Sequence, residues 1–203
     1  MGIRTSLKKK ILNVLTKKQS LKMMNKWEEL YGKFDDGDYE EYAVDDLPSE
    51  SRIYHGELIK WALDLKPHNV LFAGENKTTS SYLQNLIHAR NVYSTGLADV
   101  NYKWNFEKDP PEMALEFDLV VTQAILEHLL NPYKHVQDLS TLVKKNGYLL
   151  IHTVMPGFHY HRYPIDSVRF FPDWFEGMAK RLDLMICKKR ISDTHIFYLY
   201  QKK

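Results

Sequence analysis

The sequence predicts an α/β protein with a mostly parallel, seven-stranded sheet, helices on both faces and a C-terminal antiparallel hairpin. The main observation is the stretch from residue 117 to 156, in which an apolar β-branched run, a helical apolar repeat and a second apolar run follow one another. This order is typical of two parallel strands joined by a crossover helix. The chain also closes with two apolar runs, 182–188 and 195–200, without a helix between them, which favours an antiparallel pair.

The elements of the predicted domain, residues 49–203, are placed by apolar periodicity and by Gly and Pro breaks. In order, they are a helix capped by Ser49 or Ser51 and stopped by Pro67, a strand at 69–73, a helix beginning at Thr78 or Thr79, strands at 91–97, 99–106 and 117–122, a helix interrupted by Pro132 and ending at 144–147, a strand at 148–154, a helix at 172–181, and strands at 182–188 and 195–200. Ligands of open α/β sheets bind beyond the carboxyl ends of the strands. Functional residues are therefore expected after residues 122 and 154.

Residues 1–48 are predicted to be an appendage, with a basic helix followed by an acidic loop. Residues 1–27 contain eight Lys and Arg residues and no acid. Two interpretations of this helix stay open. In the first, it packs on the domain. In the second, it contacts an anionic membrane surface, aided by N-myristoylation, because Gly2 and Ser6 fit the short myristoylation pattern. The acidic segment 35–50 lacks the ligand spacing of a calcium loop and is interpreted as solvated. The apolar stripe of the helix consists of Ile3, Leu7, Ile11, Val14 and Leu15.

Composition favours a cytoplasmic protein that is soluble or peripherally attached to a membrane. The chain has 203 residues, of which 44% are apolar, and is long enough for one sizeable core. Its net charge of +2 does not indicate nucleic acid, and no apolar run reaches the ~18 residues of a membrane span. The single cysteine, Cys187, lies in an apolar run and is predicted to be a core residue rather than a nucleophile.

Two motifs resemble those of class I S-adenosylmethionine-dependent methyltransferases. FDLVVTQAILEHLLNP, from residue 117, is similar to the family's fourth-strand motif, and LVKKNGYLLIHTVMP, from residue 142, to its fifth-strand motif. The resemblance covers about residues 50–201 and implies a Rossmann-like methyltransferase fold with S-adenosylmethionine as cofactor. The segment HRYPIDSVRFFP at 161–172 is similar to a loop of methyltransferase type 11-like proteins from glycan-assembly clusters. That similarity implies O-methylation of a sugar or glycan hydroxyl.

The resemblance also implies a cofactor site along the carboxyl ends of the first, second and fourth strands. The family's glycine-rich turn corresponds to residues 72–78, where Gly74 alone remains of three glycines and Phe72 stands at the usual acidic position. Gly74 and Asn76 are expected to keep the turn because both residue types tolerate left-handed conformations. Glu75 is the candidate carboxylate near the methionine ammonium, and a ribose contact is sought within 96–99. The predicted cofactor-binding residues are Gly74, Glu75, Asn76, Thr78, Gly96, Asn105, Phe106, Gln123 and Ala124.

A sugar hydroxyl loses its proton during methyl transfer, so a positioned His or carboxylate is expected near it. His161 with Asp166 is the first choice for this catalytic role, and His128 is the second candidate base. His152 and His159 are further candidates in this region. The structural alternatives are that Asp166 and Arg169 form an i,i+3 pair and that His152 is a core residue. No metal ligands are assigned. The predicted substrate-binding residues are His159, Tyr163 and Arg169.

The sequence leaves other functions open. The reduced glycine turn suggests, as one alternative, a methyltransferase-like fold that has lost its cofactor and binds a partner. A small molecule or RNA is an alternative acceptor. Nucleic acid is not favoured, because only Arg162 and Arg169 interleave with the aromatic residues of the loop after the fifth strand.

Overall fold

The computed structural model describes residues 18, 49–158, 160–161, 165–192 and 194–203, and for residues 49–55 it describes the backbone only. The basic helix and acidic loop predicted for residues 1–48 therefore lie outside the described residues, except for Lys18. In the ranges that are described, no helix combines the length and the apolar character needed to cross a bilayer.

Helices and strands follow one another in the predicted order. The elements are α1 (Ser49–Leu65), β1 (Asn69–Ala73), α2 (Lys77–Ile87), β2 (Asn91–Gly96), β3 (Tyr102–Lys103), β4 (Phe117–Gln123), one turn of 3₁₀ helix (Leu126–His128), α3 (Pro132–Leu142), β5 (Val143–Val154), α4 (Pro172–Arg181), β6 (Leu184–Ile191) and β7 (His195–Lys202). Apolar β-branched runs form the buried strands, and Pro residues at the first turns of α3 and α4 fit positions where a missing N–H costs nothing.

The seven strands form one sheet in the order β3-β2-β1-β4-β5-β7-β6. The pairs from β3 to β5 are parallel, and β7 lies antiparallel between β5 and β6. The predicted sheet and its C-terminal hairpin are confirmed. The strand order reverses at β1, which lies between β2 and β4, and the crevice at the carboxyl ends of such strands is where open α/β sheets bind ligands.

Side chains of the central strands alternate between two buried cores. Val120 and Ile151 belong to a core shared with α3 and α4, whereas Val121 and Leu150 belong to a core shared with α1 and α2. This two-residue alternation requires that both faces of the sheet be covered. The predicted helices on both faces are thus confirmed, and each fully buried side chain of this kind contributes roughly 1.5–3 kcal/mol.

The third strand is shorter than predicted, because β3 contains only two residues. The aromatic side chains that suggested a strand at 99–106 form a cluster instead. Trp104 is 3% exposed, and its ring meets that of Phe106 edge-on with 5.0 Å between centroids. The Phe106 ring lies 4.5 Å from that of His135 in α3. The chain leaves the sheet here because burying these rings against α3 outweighs extending a strand at the sheet edge.

The predicted helix end at 144–147 is wrong, because β5 begins at Val143. Val143 pairs with Phe117 and regular pairing resumes at Tyr148, so the intervening residues form a bulge. Asn146 takes a left-handed φ of 61°, which asparagine tolerates better than most residues. Residues 144–147, whose cations and glycine resembled a helix C-terminus, therefore form a bulge within a strand.

The prediction that Cys187 is a core residue is also wrong. Cys187 is exposed on β6, the edge strand of the sheet. Pairing with β7 shifts between Ile186 and Lys188, which makes Cys187 the extra residue of a bulge. The apolar run around it was misleading because an edge strand does not bury every apolar position.

Candidate functional site

The turns after β1 and β2 lie against each other at the carboxyl edge of the sheet. The Gly74 backbone N–H donates a 2.8 Å hydrogen bond to the Thr95 carbonyl, and the Lys77 N–H donates one of 2.8 Å to the Asp99 carbonyl. Glu75, half-buried, lies between these two contacts. The fold thus brings together the segments that the sequence predicted for a cofactor, including the acidic residue at the end of 96–99.

Gly74 is required by both its conformation and its surroundings. Its φ is 103°, and a Cβ placed on it would lie 2.5 Å from Cδ1 of Ile125. The segment after β4 therefore approaches the β1 turn more closely than a side chain on residue 74 would allow. Asn76 does not share this role, contrary to expectation: its φ is −81°, and its side-chain oxygen caps α2 by accepting a 2.8 Å hydrogen bond from the Thr79 N–H. Thr78 lies exposed in the first turn of that helix.

Gln123, the last residue of β4, carries a buried side-chain amide whose hydrogen-bonding needs are unmet. It is 6% exposed, and neither its Nε2 nor its Oε1 has a hydrogen-bond partner among the described residues. Ala124 follows with a left-handed φ of 50° and donates a backbone hydrogen bond of 3.1 Å to the His152 carbonyl. Buried amides are normally paired, so this one fits a ligand that offers both a donor and an acceptor.

Asn105 and Phe106 follow β3 in a loop tied to β2 by a 2.8 Å hydrogen bond from the Trp104 N–H to the Gly96 carbonyl. Asn105 is exposed, and its side-chain oxygen accepts a 3.0 Å bond from the Glu107 N–H. The Phe106 ring packs against Trp104 and His135 in the aromatic cluster described above. Their predicted contacts with a cofactor stay predictions.

A second group of candidate side chains joins the turn after β4 to the loop after β5. Glu127 is fully buried; its Oε2 accepts a 2.7 Å hydrogen bond from Thr153 Oγ1, and its Oε1 has no hydrogen-bond partner in the described part of the chain. His128 Nε2 lies 4.0 Å from that Oε1 and 3.2 Å from Nε2 of His161. The first and second candidate bases are therefore in contact with each other.

The hydrogen bonds of His128 define its tautomer. Its Nδ1 contacts the carbonyl oxygen of Ile165, and a carbonyl can only accept. In the neutral ring the proton is therefore on Nδ1, and Nε2 presents a lone pair toward His161. A hydrogen bond between the rings then requires that Nε2 of His161 be the donor.

Asp166 both anchors Arg169 and positions His161. Its two carboxylate oxygens bind the Arg169 guanidinium, and Oδ2 also accepts a 2.8 Å bond from the His161 backbone N–H. Burial alone would raise the pKa of the Asp166 carboxyl, but the Arg169 guanidinium and the His161 N–H hold that pKa below its usual range. The carboxylate thus stays charged 3.7 Å from Nδ1 of His161. The structural i,i+3 pair considered above is present, in addition to a contact with the catalytic candidate.

A cavity of about 240 Å³ lies along the loop after β5. Its walls combine aromatic, hydroxyl and charged groups, and its lining residues are Pro156, Phe158, Tyr160, Asp166, Ser167, Val168 and Arg169. Phe158 also packs edge-on against the His161 ring, with 5.3 Å between centroids. The two other predicted substrate-binding residues, His159 and Tyr163, lie outside the described residues.

The sequence did not reveal several residues that hold the candidate site together. Ser167 ties the loop to the turn after β4: its N–H and hydroxyl donate to the Glu127 carbonyl at 2.8 and 3.0 Å, and the hydroxyl also contacts the Leu129 carbonyl at 2.7 Å. Thr153, which orients Glu127, was read only as part of a strand. His152 is a buried core residue with Nε2 3.1 Å from Nδ1 of His195, as the structural alternative had it.

The chain is similar to a known family of protein domains and to several solved structures. A family model described as a methyltransferase domain matches residues 49–195. A search of curated proteins finds no match. Among solved structures, an O-methyltransferase family protein from Burkholderia thailandensis has a TM-score of 0.58 at 12% identity, over 74% of this chain and 57% of that one. The chain therefore spans little more than half of that relative.

Two further structures are similar over most of their own length. The magnesium protoporphyrin IX methyltransferase from Synechocystis, solved with bound S-adenosylmethionine, has a TM-score of 0.57 at 12% identity, over 88% of this chain and 90% of that one. The N-methyltransferase NodS from Bradyrhizobium japonicum has a TM-score of 0.52 at 13% identity, over 78% of this chain and 99% of that one. At such low identity, these likenesses establish the fold.

Proposed function

The chain belongs to the methyltransferase domain family, and on that premise we propose that it transfers the methyl group of S-adenosylmethionine to a hydroxyl oxygen of a sugar or glycan. The observation that carries the choice of a hydroxyl is the contact between His128 and His161, 3.2 Å apart, beside the cavity along the loop after β5. A hydroxyl must lose its proton to become an effective nucleophile, and an imidazole is the usual group to receive it.

The residues at the carboxyl ends of β1, β2 and β4 fit the proposed cofactor. S-adenosylmethionine supplies an electrophilic methyl group, and its methionine end carries an ammonium donor and a carboxylate acceptor. The Gln123 amide, which has no hydrogen-bond partner among the described residues, offers an acceptor oxygen and a donor NH₂ group in a buried position. Gly74 keeps the adjacent turn free of a side chain, and Asp99 lies beside that turn through its contact with Lys77. Asp99 is therefore the proposed ribose contact in the segment 96–99.

His161 is the proposed base, and His128 accepts a hydrogen bond from it. His161 takes the hydroxyl proton at Nδ1 while its Nε2–H donates toward the lone pair on Nε2 of His128. The charged carboxylate of Asp166, 3.7 Å from Nδ1, stabilises the imidazolium that results. Because His161 is the more exposed of the two rings, with 30% of its side chain accessible, it is the one that an acceptor can reach.

The composition of the cavity supports a sugar as the acceptor. Phe158 and Tyr160 offer aromatic faces for the apolar side of a pyranose, and Ser167 and Arg169 offer polar groups for its hydroxyls. Arg169 is held in place by Asp166, which reduces the entropy lost when it binds a substrate. The similarity of segment 161–172 to a loop of glycan-assembly methyltransferases points in the same direction.

The proposal is tested by incubating the protein with S-adenosylmethionine carrying an isotopically labelled methyl group. The acceptor panel comprises free sugars, nucleotide sugars, phenols and primary amines, and products are located by mass spectrometry and NMR. We expect label on a sugar oxygen, formed roughly 10²–10⁴-fold more slowly in the matched reaction with His161→Ala. Transfer to amines alone, or transfer that His161→Ala leaves unchanged, would overturn the assignment.

A further inference from the structure

We propose that Glu127, His128 and His161 form a binding site for one divalent transition-metal ion of the Zn²⁺ class. One ligand atom from each residue, a carboxylate oxygen and two imidazole nitrogens, lies within 4.8 Å of the others. Two histidines and one glutamate are a ligand set that leaves a coordination position open in zinc enzymes. Binding of the ion does not depend on the proposed methyl transfer and can be measured without it.

The separation of the two imidazole nitrogens suits a shared ion. Metal–nitrogen bonds of ~2.0–2.1 Å at a tetrahedral centre place two ligand nitrogens about 3.3–3.4 Å apart. The Nε2 atoms of His128 and His161 lie 3.2 Å apart. The third atom, Oε1 of Glu127, lies 4.0 Å from Nε2 of His128, a gap that a modest carboxylate rotation closes.

Each ligand is already oriented by a neighbouring group, as in protein metal sites. The Ile165 carbonyl holds Nδ1 of His128 in its protonated form and leaves Nε2 with a lone pair. Thr153 binds Oε2 of Glu127 at 2.7 Å, and Asp166 holds the His161 backbone at 2.8 Å. These contacts come from three separate segments, so the arrangement does not result from local sequence alone.

The charge balance of the site also points to a cation. Glu127 is fully buried, yet its Oε1 has no hydrogen-bond partner within the described residues. A buried carboxylate with one unmet oxygen is costly unless a cation or donor satisfies it. Arg169, in the described part of the loop, is bound to Asp166 instead. A divalent ion at the junction of the three ligands would satisfy Oε1 and bind Nε2 of both imidazoles, with the His161 ring in the tautomer that carries its proton on Nδ1, the atom 3.7 Å from Asp166.

Metal binding and proton transfer are alternative uses of the same imidazole rings. With the ion bound to Nε2 of His161, the neutral ring carries its proton on Nδ1 and cannot accept the hydroxyl proton there. A hydroxyl that coordinates the open position would instead lose its proton more readily because of the ion's charge. Methyl transfer measured in excess chelator therefore reports on the imidazole pair alone. A failure of metal binding leaves the proposed function standing, and a failure of methyl transfer leaves the metal site standing.

The experiment is calorimetric titration of Zn²⁺ into the untagged full chain, with Mg²⁺ in a parallel titration. We expect one Zn²⁺ per chain, at least tenfold weaker binding in each of Glu127→Gln, His128→Ala and His161→Asn, and unchanged binding in the control His68→Ala, an exposed histidine elsewhere. Mg²⁺ should bind far more weakly because it prefers oxygen ligands. Co²⁺ should give a d–d absorption spectrum that His161→Asn, the most exposed of the three positions, abolishes in a folded protein. No binding, equal binding of Mg²⁺, or affinity that survives all three substitutions would overturn the proposal.

Discussion

Nε2 of His128 lies 3.2 Å from Nε2 of His161, which joins the turn after β4 to the loop after β5. The two residues are 33 positions apart in the chain, and the contact exists because Ser167 binds the loop to the Glu127 carbonyl. The carboxyl ends of the two neighbouring parallel strands thereby share one polar site, next to the crevice at which the strand order reverses.

Replacement of His161 should separate chemistry from cofactor binding. We expect His161→Ala, assayed in excess chelator, to lower kcat by roughly 10²–10⁴-fold, the usual contribution of a general base. The affinity for S-adenosylmethionine, measured by calorimetry, should stay the same because the proposed cofactor residues lie on other turns. His68→Ala serves as the control. A lower cofactor affinity in His161→Ala would place this residue in the cofactor site instead.

Replacement of Gln123 should weaken cofactor binding without lowering the stability of the fold. In Gln123→Met, two buried polar atoms that have no partner in the described part of the chain are removed, which should leave the free energy of unfolding unchanged or raise it by about 1 kcal/mol. The same change should weaken S-adenosylhomocysteine binding at least tenfold, because a ligand loses its buried partner. The control is Gln137→Met on the exposed side of α3. Lower stability with unchanged affinity would show that the amide serves the fold.

Gly74 and Ile125 should be energetically coupled. Gly74→Ala introduces a Cβ 2.5 Å from Cδ1 of Ile125 and forces alanine to a φ of 103°, so we expect a loss of about 1–3 kcal/mol in urea unfolding. The steric part should disappear in the Gly74→Ala, Ile125→Ala double variant, whereas the backbone strain remains. The double variant should therefore be more stable than the sum of the single changes implies. Strict additivity would show that the two side chains do not meet.

His135 should make the fold sensitive to acid. Burial, followed by the charge of Lys134, lowers the pKa of His135 from 6.5 to about 3. Below pH 6.5 the unfolded chain binds a proton that the folded chain does not, so stability falls with pH until about pH 3. Between pH 7 and 4.5, this residue should cost about 2.5 kcal/mol of stability. Urea unfolding of the wild type and of His135→Gln across this range should converge as pH falls; parallel curves would contradict the assignment.

The fold could be predicted because burial leaves a direct mark on the sequence. The strands β1, β4 and β5 are buried on both faces, so each appears in the sequence as a continuous apolar run. Pro172 marks the start of α4. Irregular pieces left no such mark. The bulge at 144–147 resembles a helix end in composition, and the aromatic alternation after residue 101 reflects a cluster around Trp104 rather than a strand.

The candidate site could be predicted only in part, for a related reason. The resemblance to methyltransferases implied Gln123, and the rule that ligands bind at strand carboxyl ends pointed to the segments that carry His128 and His161. Neither could show that the Gln123 amide has no hydrogen-bond partner among the described residues, or that the two histidines touch, because both facts depend on long-range contacts. The burial of Glu127 and the contact made by Ser167 arise from the packing of the loop on the turn, which no local pattern encodes.

The central claim, a methyltransferase that binds S-adenosylmethionine through the turns after β1, β2 and β4, is tested most directly by calorimetric titration of S-adenosylmethionine into the folded full chain. We expect one binding site per chain, with affinity reduced in Gln123→Met. A well-folded protein that shows no binding heat and no thermal stabilisation by S-adenosylmethionine or S-adenosylhomocysteine would contradict the account and favour a fold that has lost its cofactor.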